Sequence, residues 1–294
     1  MEIRDIEIFL TLAEELHFGR TAERLHVTAA RVSQAIKKQE RQIGGALFAR
    51  TSHHVSLTPL GQQLHDDLLP VHRGLQRSLE RAALAAKGKT GVLRLGMTSS
   101  NVEDLRPVLD EFSSRHPGCM VQIRAVGYND PFTALRHDTI DVLLAWLPVR
   151  EPDLTVGPVA YTEPVVLCVS SAHPLAKRDS ISYEDLADET VLTGAAPDYW
   201  REALIPAHTS SGRPIPKGPT AVDGTQLLAI VASGEAVCPV HAHALRYYGR
   251  PDIAYIPIHD APLSRWALSW HTNSETDRIR ALAKVVEDLG PMAL

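Results

Sequence analysis

The first sixty residues carry a helical pattern whose outer side is polar and cationic, and no other feature constrains the chain as much. Ile6, Phe9, Leu10, Ala13 and Leu16 recur at three- and four-residue steps and define one buried helical face. After Phe18 and Gly19, residues 20–25 place Ala22 and Leu25 on one side, and His26 and Val27 make a brief turn. Thr28 is a good N-cap, because its hydroxyl can accept an orphan amide of the next turn. A third helix to about Gln42 then turns Val32, Ile36 and Ile43 inward and leaves Arg31, Ser33, Gln34, Lys37, Lys38 and Arg41 outside. Two helices joined by a tight turn, the second with a polar and basic outer face, have the shape that a DNA major groove accepts.

Charge supports this only after the chain is divided. The net charge is −5 over 294 residues, yet residues 1–89 hold 13 Lys/Arg against 10 Asp/Glu, and the other 205 residues hold 17 against 25. Within residues 20–61 the balance is seven basic (Arg20, Arg24, Arg31, Lys37, Lys38, Arg41, Arg50) against two acidic (Glu23, Glu40). Such an excess also suits a solvated surface, so charge alone does not assign a nucleic-acid partner. Downstream, residues 47–50 and 55–57 alternate around Thr51, Ser52, His53 and His54 as a two-stranded wing would. Thr58 and Pro59 then cap and open a long helix in which Leu60, Leu64, Leu68, Val71, Leu75, Leu79 and Ala82 repeat at helical spacing. A partner helix is favoured over the chain's own core as the cover for that stripe. Pro70 inside it costs a hydrogen bond and predicts a kink near Leu69 and Pro70.

At this point the chain resembles the LysR-type transcriptional regulators. Residues 9–58, with TAARVSQAIKKQE at their centre, follow that family's winged helix-turn-helix motif for motif. The resemblance continues more weakly through residues 91–96, Ile140-Asp141-Val142, His173-Pro174-Leu175-Ala176 and residues 231–235. The chain departs from the usual pattern at Ala29-Ala30-Arg31, where Gln followed by Pro or Ser is common, and at Gln39, where a core leucine is usual. Ala29 and Ala30 offer only methyl groups to thymines. Arg31 suits guanine, and Gln34 adenine or a phosphate. Ser33, Lys37, Lys38 and Arg50 suit phosphates, with His53 and His54 at the wing tip.

From about Thr90 strand-like and helical runs alternate: 92–97, 105–115, 120–126, 131–137 and 142–147, then 155–160, 165–169, 190–193, 199–204, 220–222, 225–233, 236–240, 253–258, 266–270 and 275–289. This rhythm predicts an α/β domain with a parallel sheet. The resemblance implies a two-lobed ligand-binding domain like that of periplasmic solute-binding proteins, with crossovers near 161–164 and 262–265. The expected organisation is a mainly α-helical winged helix-turn-helix (1–58), a linker helix (59–89) and an effector domain (90–294). Its lobes are 90–161 with 265–294, and 162–264.

A ligand in such a fold sits where strands give way to helices. Thr98, Ser99, Ser100 and Asn101 follow the first strand there and look like the family's carboxylate cradle, although four such residues also suit a simple helix cap. Tyr128 and Asn129 form the opposing turn, Thr193 and Thr225 face them from the second lobe, and Trp146 lines the cleft or packs in the core. The implied co-effector is a small, anionic molecule.

Other chemistries find little support. Cys238, His241 and His243 could ligate a metal, but two His on alternate positions without a third fixed partner are more often structural, and three cysteines without C-x-x-C spacing suggest reduced thiols, so no redox switch through Cys168 and Cys238 is expected. No cofactor motif and no enzyme signature such as G-x-S-x-G, G-x-G-x-x-G, a P-loop or H-E-x-x-H occurs. No apolar run approaches the ~18–20 residues of a membrane span, and no leader pattern opens the chain, so a cytoplasmic protein is expected. The resulting expectation is a homodimer or dimer of dimers on double-stranded promoter DNA, answering a small molecule, with RNA polymerase as a further contact and no membrane. Two alternatives stand beside it: a cytoplasmic solute-binding protein with an N-terminal oligomerisation module, and a DNA-binding protein without effector.

Overall fold

The computed structural model describes residues 2–50, 54–86 and 91–294, with the side chains of Arg77, Glu80, Arg81 and Leu84 left out. The chain forms two compact units, Met1–Lys87 and Gly88–Leu294.

The first unit contains α1 (Ile3–Glu15), α2 (Phe18–Arg24), α3 (Ala29–Ile43), the hairpin β1 (Phe48–Arg50) and β2 (Val55–Leu57), and α4 (Pro59–Ala85). Ile8, Phe9 and Leu12 of α1 meet Ala22 of α2 and Val32, Ala35 and Ile36 of α3, with Leu47 and Phe48 closing the core. Phe9 and Phe48 meet edge to face at 5.6 Å. Helix α2 begins earlier than the apolar pattern implies because His17 caps it, Nδ1 accepting the Arg20 amide at 3.1 Å. Ile43, expected inside, is exposed as the last residue of α3. Thr58 caps α4, its Oγ1 accepting the Gly61 amide at 3.0 Å. A Cβ on Gly61 would stand 2.0 Å from the Leu47 carbonyl oxygen, so only glycine lets α4 start this close to the wing.

Helix α4 continues through Pro70 without a break. Its stripe is divided. Leu64, Leu68 and Leu69 pack on the unit's own core, while Val71, Leu75 and Leu79 are 65%, 36% and 63% exposed.

The second unit contains, in order, β3 (Gly91–Met97), α5 (Arg106–Arg115), β4 (Cys119–Ala125), α6 (Thr133–Arg136), β5 (Val142–Trp146), β6 (Leu154–Glu163), β7 (Val165–Ser170), β8 (Val191–Thr193), α7 (Asp198–Glu202) and β9 (Lys217–Thr220). It continues with α8 (Gly224–Ala232), β10 (Cys238–His241), α9 (Ala244–Tyr247), β11 (Ile253–Pro257), β12 (Ser264–His271), α10 (Asp277–Leu289) and β13 (Met292–Ala293). One sheet has the order β13-β6-β12-β5-β3-β4. It is mixed, not parallel as the alternation predicted. Strand β12 returns from the second sheet and lies antiparallel to both β5 and β6. The second sheet, β10-β7-β11, is antiparallel, and a Val191–Val237 bridge joins the β8-β9 pair to it.

Two passages connect the sheets, Pro164 and residues 258–263. They lie side by side, since Glu163 and Ser264 are register partners. Trp200 of α7 packs into the core of the six-stranded sheet, although its flanking strands, β8 and β9, form a separate pair.

Candidate DNA interface and ligand cleft

Thr28 Oγ1 accepts the Arg31 amide at 3.2 Å and so fixes where α3 begins. Ala29 and Ala30 are exposed at the helix start, Gln34 and Lys37 are exposed beyond them, and Ser33 is half-buried. Lys37 forms no ion pair among the described residues.

Arg31 and Lys38 are less free than their outward positions suggest. The Asp5 side chain of α1 is fully buried, with Lys38 Nζ 3.1 Å from one oxygen and the Arg31 guanidinium 3.6 Å from the other. Burial raises the Asp5 pKa, but the Lys38 hydrogen bond and the two positive charges hold it below the ordinary value. Buried Gln39 donates Nε2 to the Asp5 carbonyl at 2.8 Å, which accounts for a polar residue in a leucine-like position. Arg50 likewise serves the wing. It pairs with Glu40 at 2.9 Å and lies over the Phe18 ring, while Glu40 also accepts the Leu47 and Phe48 amides. Arg20 and Arg24 pair with Glu15 and Glu14 of α1. His54 is exposed, and His53 lies outside the described residues.

In the second unit a cavity of about 410 Å³ is lined from both sheets. Thr98, Ser99, Ser100, Tyr128, Trp146, Thr193 and Thr225 line it; Asn101 and Asn129 do not. Asn129 is exposed. Asn101 is buried, donating Nδ2 to Tyr161 Oη at 2.8 Å and accepting from Ser99 Oγ at 2.6 Å. The Ser100 amide donates to Tyr248 Oη at 3.0 Å. Of the expected carboxylate cradle, the Ser99 and Asn101 side chains and the Ser100 amide are therefore engaged within the protein, while the buried Thr98 hydroxyl has no partner among the described residues. None of the described lining residues is Lys or Arg, and Asp223 caps α8 by accepting the Gln226 amide at 2.8 Å. The expectation of an anionic ligand finds no cation here to meet it.

Tyr128 straps the cleft. Its Oη donates to the Ala221 carbonyl at 3.2 Å, and its own carbonyl accepts the Ala196 amide at 3.2 Å. Gly194, at φ +149°, approaches the same Ala221 carbonyl so closely that a Cβ would stand 2.2 Å from its oxygen. Trp146 stacks on Trp200 at 3.4 Å, and each indole donates to the other's backbone carbonyl, at 3.2 and 2.8 Å. It is at once core and cavity wall.

The sequence reading missed the part contributed by β10 and β12. His241 Nδ1 and Ser264 Oγ lie 3.0 Å apart, and burial drives the imidazole pKa down to about 3, so the ring is neutral. The His243 amide and ring bond the buried Glu163 carboxylate at 2.7 and 2.9 Å. Burial pushes the Glu163 pKa up, but the His243 hydrogen bond holds it below the ordinary value. Cys168 and Cys238 are register partners that also line the cavity, and burial raises both thiols, Cys168 to about 12. The pairing of β10 with β7 brings Cys168 and Cys238 together in the cavity wall, and no local spacing announces it.

A winged helix-turn-helix and a two-sheet α/β fold around a ligand-sized cavity define a one-component regulator, in which one chain both holds DNA and senses a small molecule. Residues 3–62 match the model of the bacterial regulatory helix-turn-helix protein, lysR family, and residues 86–290 match that of the LysR substrate binding domain. The chain belongs to the LysR family of transcriptional regulators and is not an enzyme.

Among its relatives, the HTH-type transcriptional regulator AlsR of Bacillus subtilis is 32% identical over 201 residues, covering 68% of this chain and 66% of AlsR. The HTH-type transcriptional regulator IlvR of Caulobacter vibrioides is 28% identical, with 99% of each chain covered. Full-length CbnR complexed with its target DNA superposes with a TM-score of 0.71 at 21% identity, over 99% of this chain and 100% of that one, and so shares the fold.

Proposed function

We propose that this regulator lays α3 into the major groove of double-stranded promoter DNA. Ala29, Ala30, Arg31 and Gln34 face the bases, and Ser33, Lys37 and Lys38 face phosphates. The observation that carries this reading is the exposed Gln34–Lys37 side of a helix that Thr28 caps and whose opposite side is core. Arg50 and Lys38 contribute less than their charge suggests, because Glu40 and Asp5 already hold them. CbnR is complexed with target DNA, and we carry that mode of binding to this chain.

The exposed stretch Val71, Leu75 and Leu79 of α4 pairs with the same stretch of a second copy, so that two helix-turn-helix units read a roughly palindromic operator. A small molecule held by Thr98, Ser99, Ser100, Tyr128, Trp146, Thr193 and Thr225 sets how the copies sit on DNA. None of the described helices is long and apolar enough to cross a membrane, and the protein works in the cytoplasm beside RNA polymerase.

Selection of genomic fragments by the purified protein, followed by salt-dependent binding to the enriched sequence, tests the reading. Enrichment of a palindromic site with a steep salt dependence is expected. Salt-insensitive binding, or no enrichment, would overturn it.

A further inference from the structure

Resting on the cavity as the effector site, we propose that it takes an uncharged, largely hydrocarbon molecule carrying one hydroxyl or carbonyl group, which meets Trp266 and His241.

Charge gives the first argument. An anion entering the cleft loses its hydration and meets no Lys or Arg among the described lining residues. It also approaches the wholly buried Glu163 carboxylate, which lies directly behind His243.

Unsatisfied groups give the second. Trp266 is 1% exposed and His241 6%, and both line the cavity. Neither Trp266 Nε1 nor His241 Nε2 has a hydrogen-bond partner among the described residues, and neither does Thr98 Oγ1 on the same wall. Buried polar groups in native proteins are paired in roughly nine cases out of ten, so three orphans around one cavity point to a polar group arriving from outside. The indole N–H can only donate, and the neutral imidazole donates or accepts according to its tautomer. A carbonyl or hydroxyl oxygen has the chemistry that either ring lacks, whereas an ammonium offers the indole nothing to accept its proton. Most of the exposed wall area is apolar, with Met97, Val126, Leu192, Leu228 and Val240 among its contributors, while Ser99, Ser100, Thr193, Asp223 and Thr225 add polar groups to it.

Calorimetry on the full-length protein at neutral pH, with two near-isosteric probes, tests the assignment. Benzylacetone is an uncharged methyl ketone, and hydrocinnamate replaces its acetyl group by a carboxylate. The ketone should bind about tenfold more tightly or better, and Trp266→Phe and Thr98→Val should each weaken it about fivefold by removing one donor. Preference for hydrocinnamate, binding of neither probe, or ketone affinity unchanged in both variants overturns the ligand class. DNA binding measured on the same samples separates the two readings. DNA binding without ketone preference removes the ligand class alone, and ketone preference without DNA binding removes the regulator model alone.

Discussion

Lys37 and Lys38 are adjacent in sequence and carry the same charge, yet the structure gives them opposite tasks. Lys37 stands exposed without an ion pair among the described residues, so Lys37→Ala should remove one phosphate contact and leave stability within about 0.5 kcal/mol of wild type. One lost contact lowers the slope of log K against log salt by about 0.9, so between 50 and 200 mM salt the variant should lose about 3.5-fold less affinity than wild type. Lys38→Ala instead leaves the buried Asp5 carboxylate with the Glu2 amide at 3.4 Å and with Arg31, at 3.6 Å, as its one cation among the described residues. Breaking a charge-assisted hydrogen bond to a buried group costs about 1.5–3 kcal/mol. Lys38 keeps 42% of its side chain in solvent, so a loss of about 1–2 kcal/mol is expected. Because the folded Asp5 pKa is depressed, this contribution is fully present above the ordinary carboxylate value and disappears as pH falls through the folded one. Wild type and Lys38→Ala should therefore converge in stability as pH falls below about 4. Urea denaturation across pH, together with fluorescence anisotropy on an operator fragment across salt, reads both effects. An unchanged salt slope in Lys37→Ala, or a full-unit slope loss with no change of stability in Lys38→Ala, would refute the division.

Trp200→Ala should destabilise the second unit by about 3–5 kcal/mol, since it removes a fully buried indole and its stack on Trp146; chemical denaturation followed by intrinsic fluorescence checks this. Stability should decline as pH drops from about 6.5 toward 3, because the unfolded chain takes up a proton that neutral, buried His241 refuses. The slope from this ring is at most about 1.4 kcal/mol per pH unit, and His241→Gln should flatten it in that window. Cys168 and Cys238 should resist iodoacetamide at pH 8 in the native protein and react fully in denaturant, since burial keeps both thiols protonated; native labelling at the denatured rate would contradict their described burial.

Much of the architecture is legible in the sequence because helical spacing and caps are local signals. Thr28, Thr58 and the apolar steps of α1 and α3 do in the structure what their types and positions imply. The electrostatics of the DNA side is not local. A window from residue 20 to 61 counts seven cations but omits Asp5, Glu14 and Glu15, which α1 folds back onto Arg31, Lys38, Arg20 and Arg24. The same limit applies in the cleft. Thr98 to Asn101 look alike as a run of hydrogen-bonding residues, yet Asn101 is committed to Tyr161, sixty positions away, while Thr98 keeps a buried hydroxyl without a partner among the described residues. The mixed sheet escaped the reading because alternation reports the order of elements, while the direction of β12 depends on its return from the second sheet.

The side-by-side passage of the chain at Glu163 and Ser264 is clasped by two imidazoles from one short segment, His243 on the first and His241 on the second. Because His241 lines the cavity and its Nδ1 lies 3.0 Å from Ser264 Oγ, a guest of the proposed class that met this ring would be separated from the passage between the sheets by one side chain.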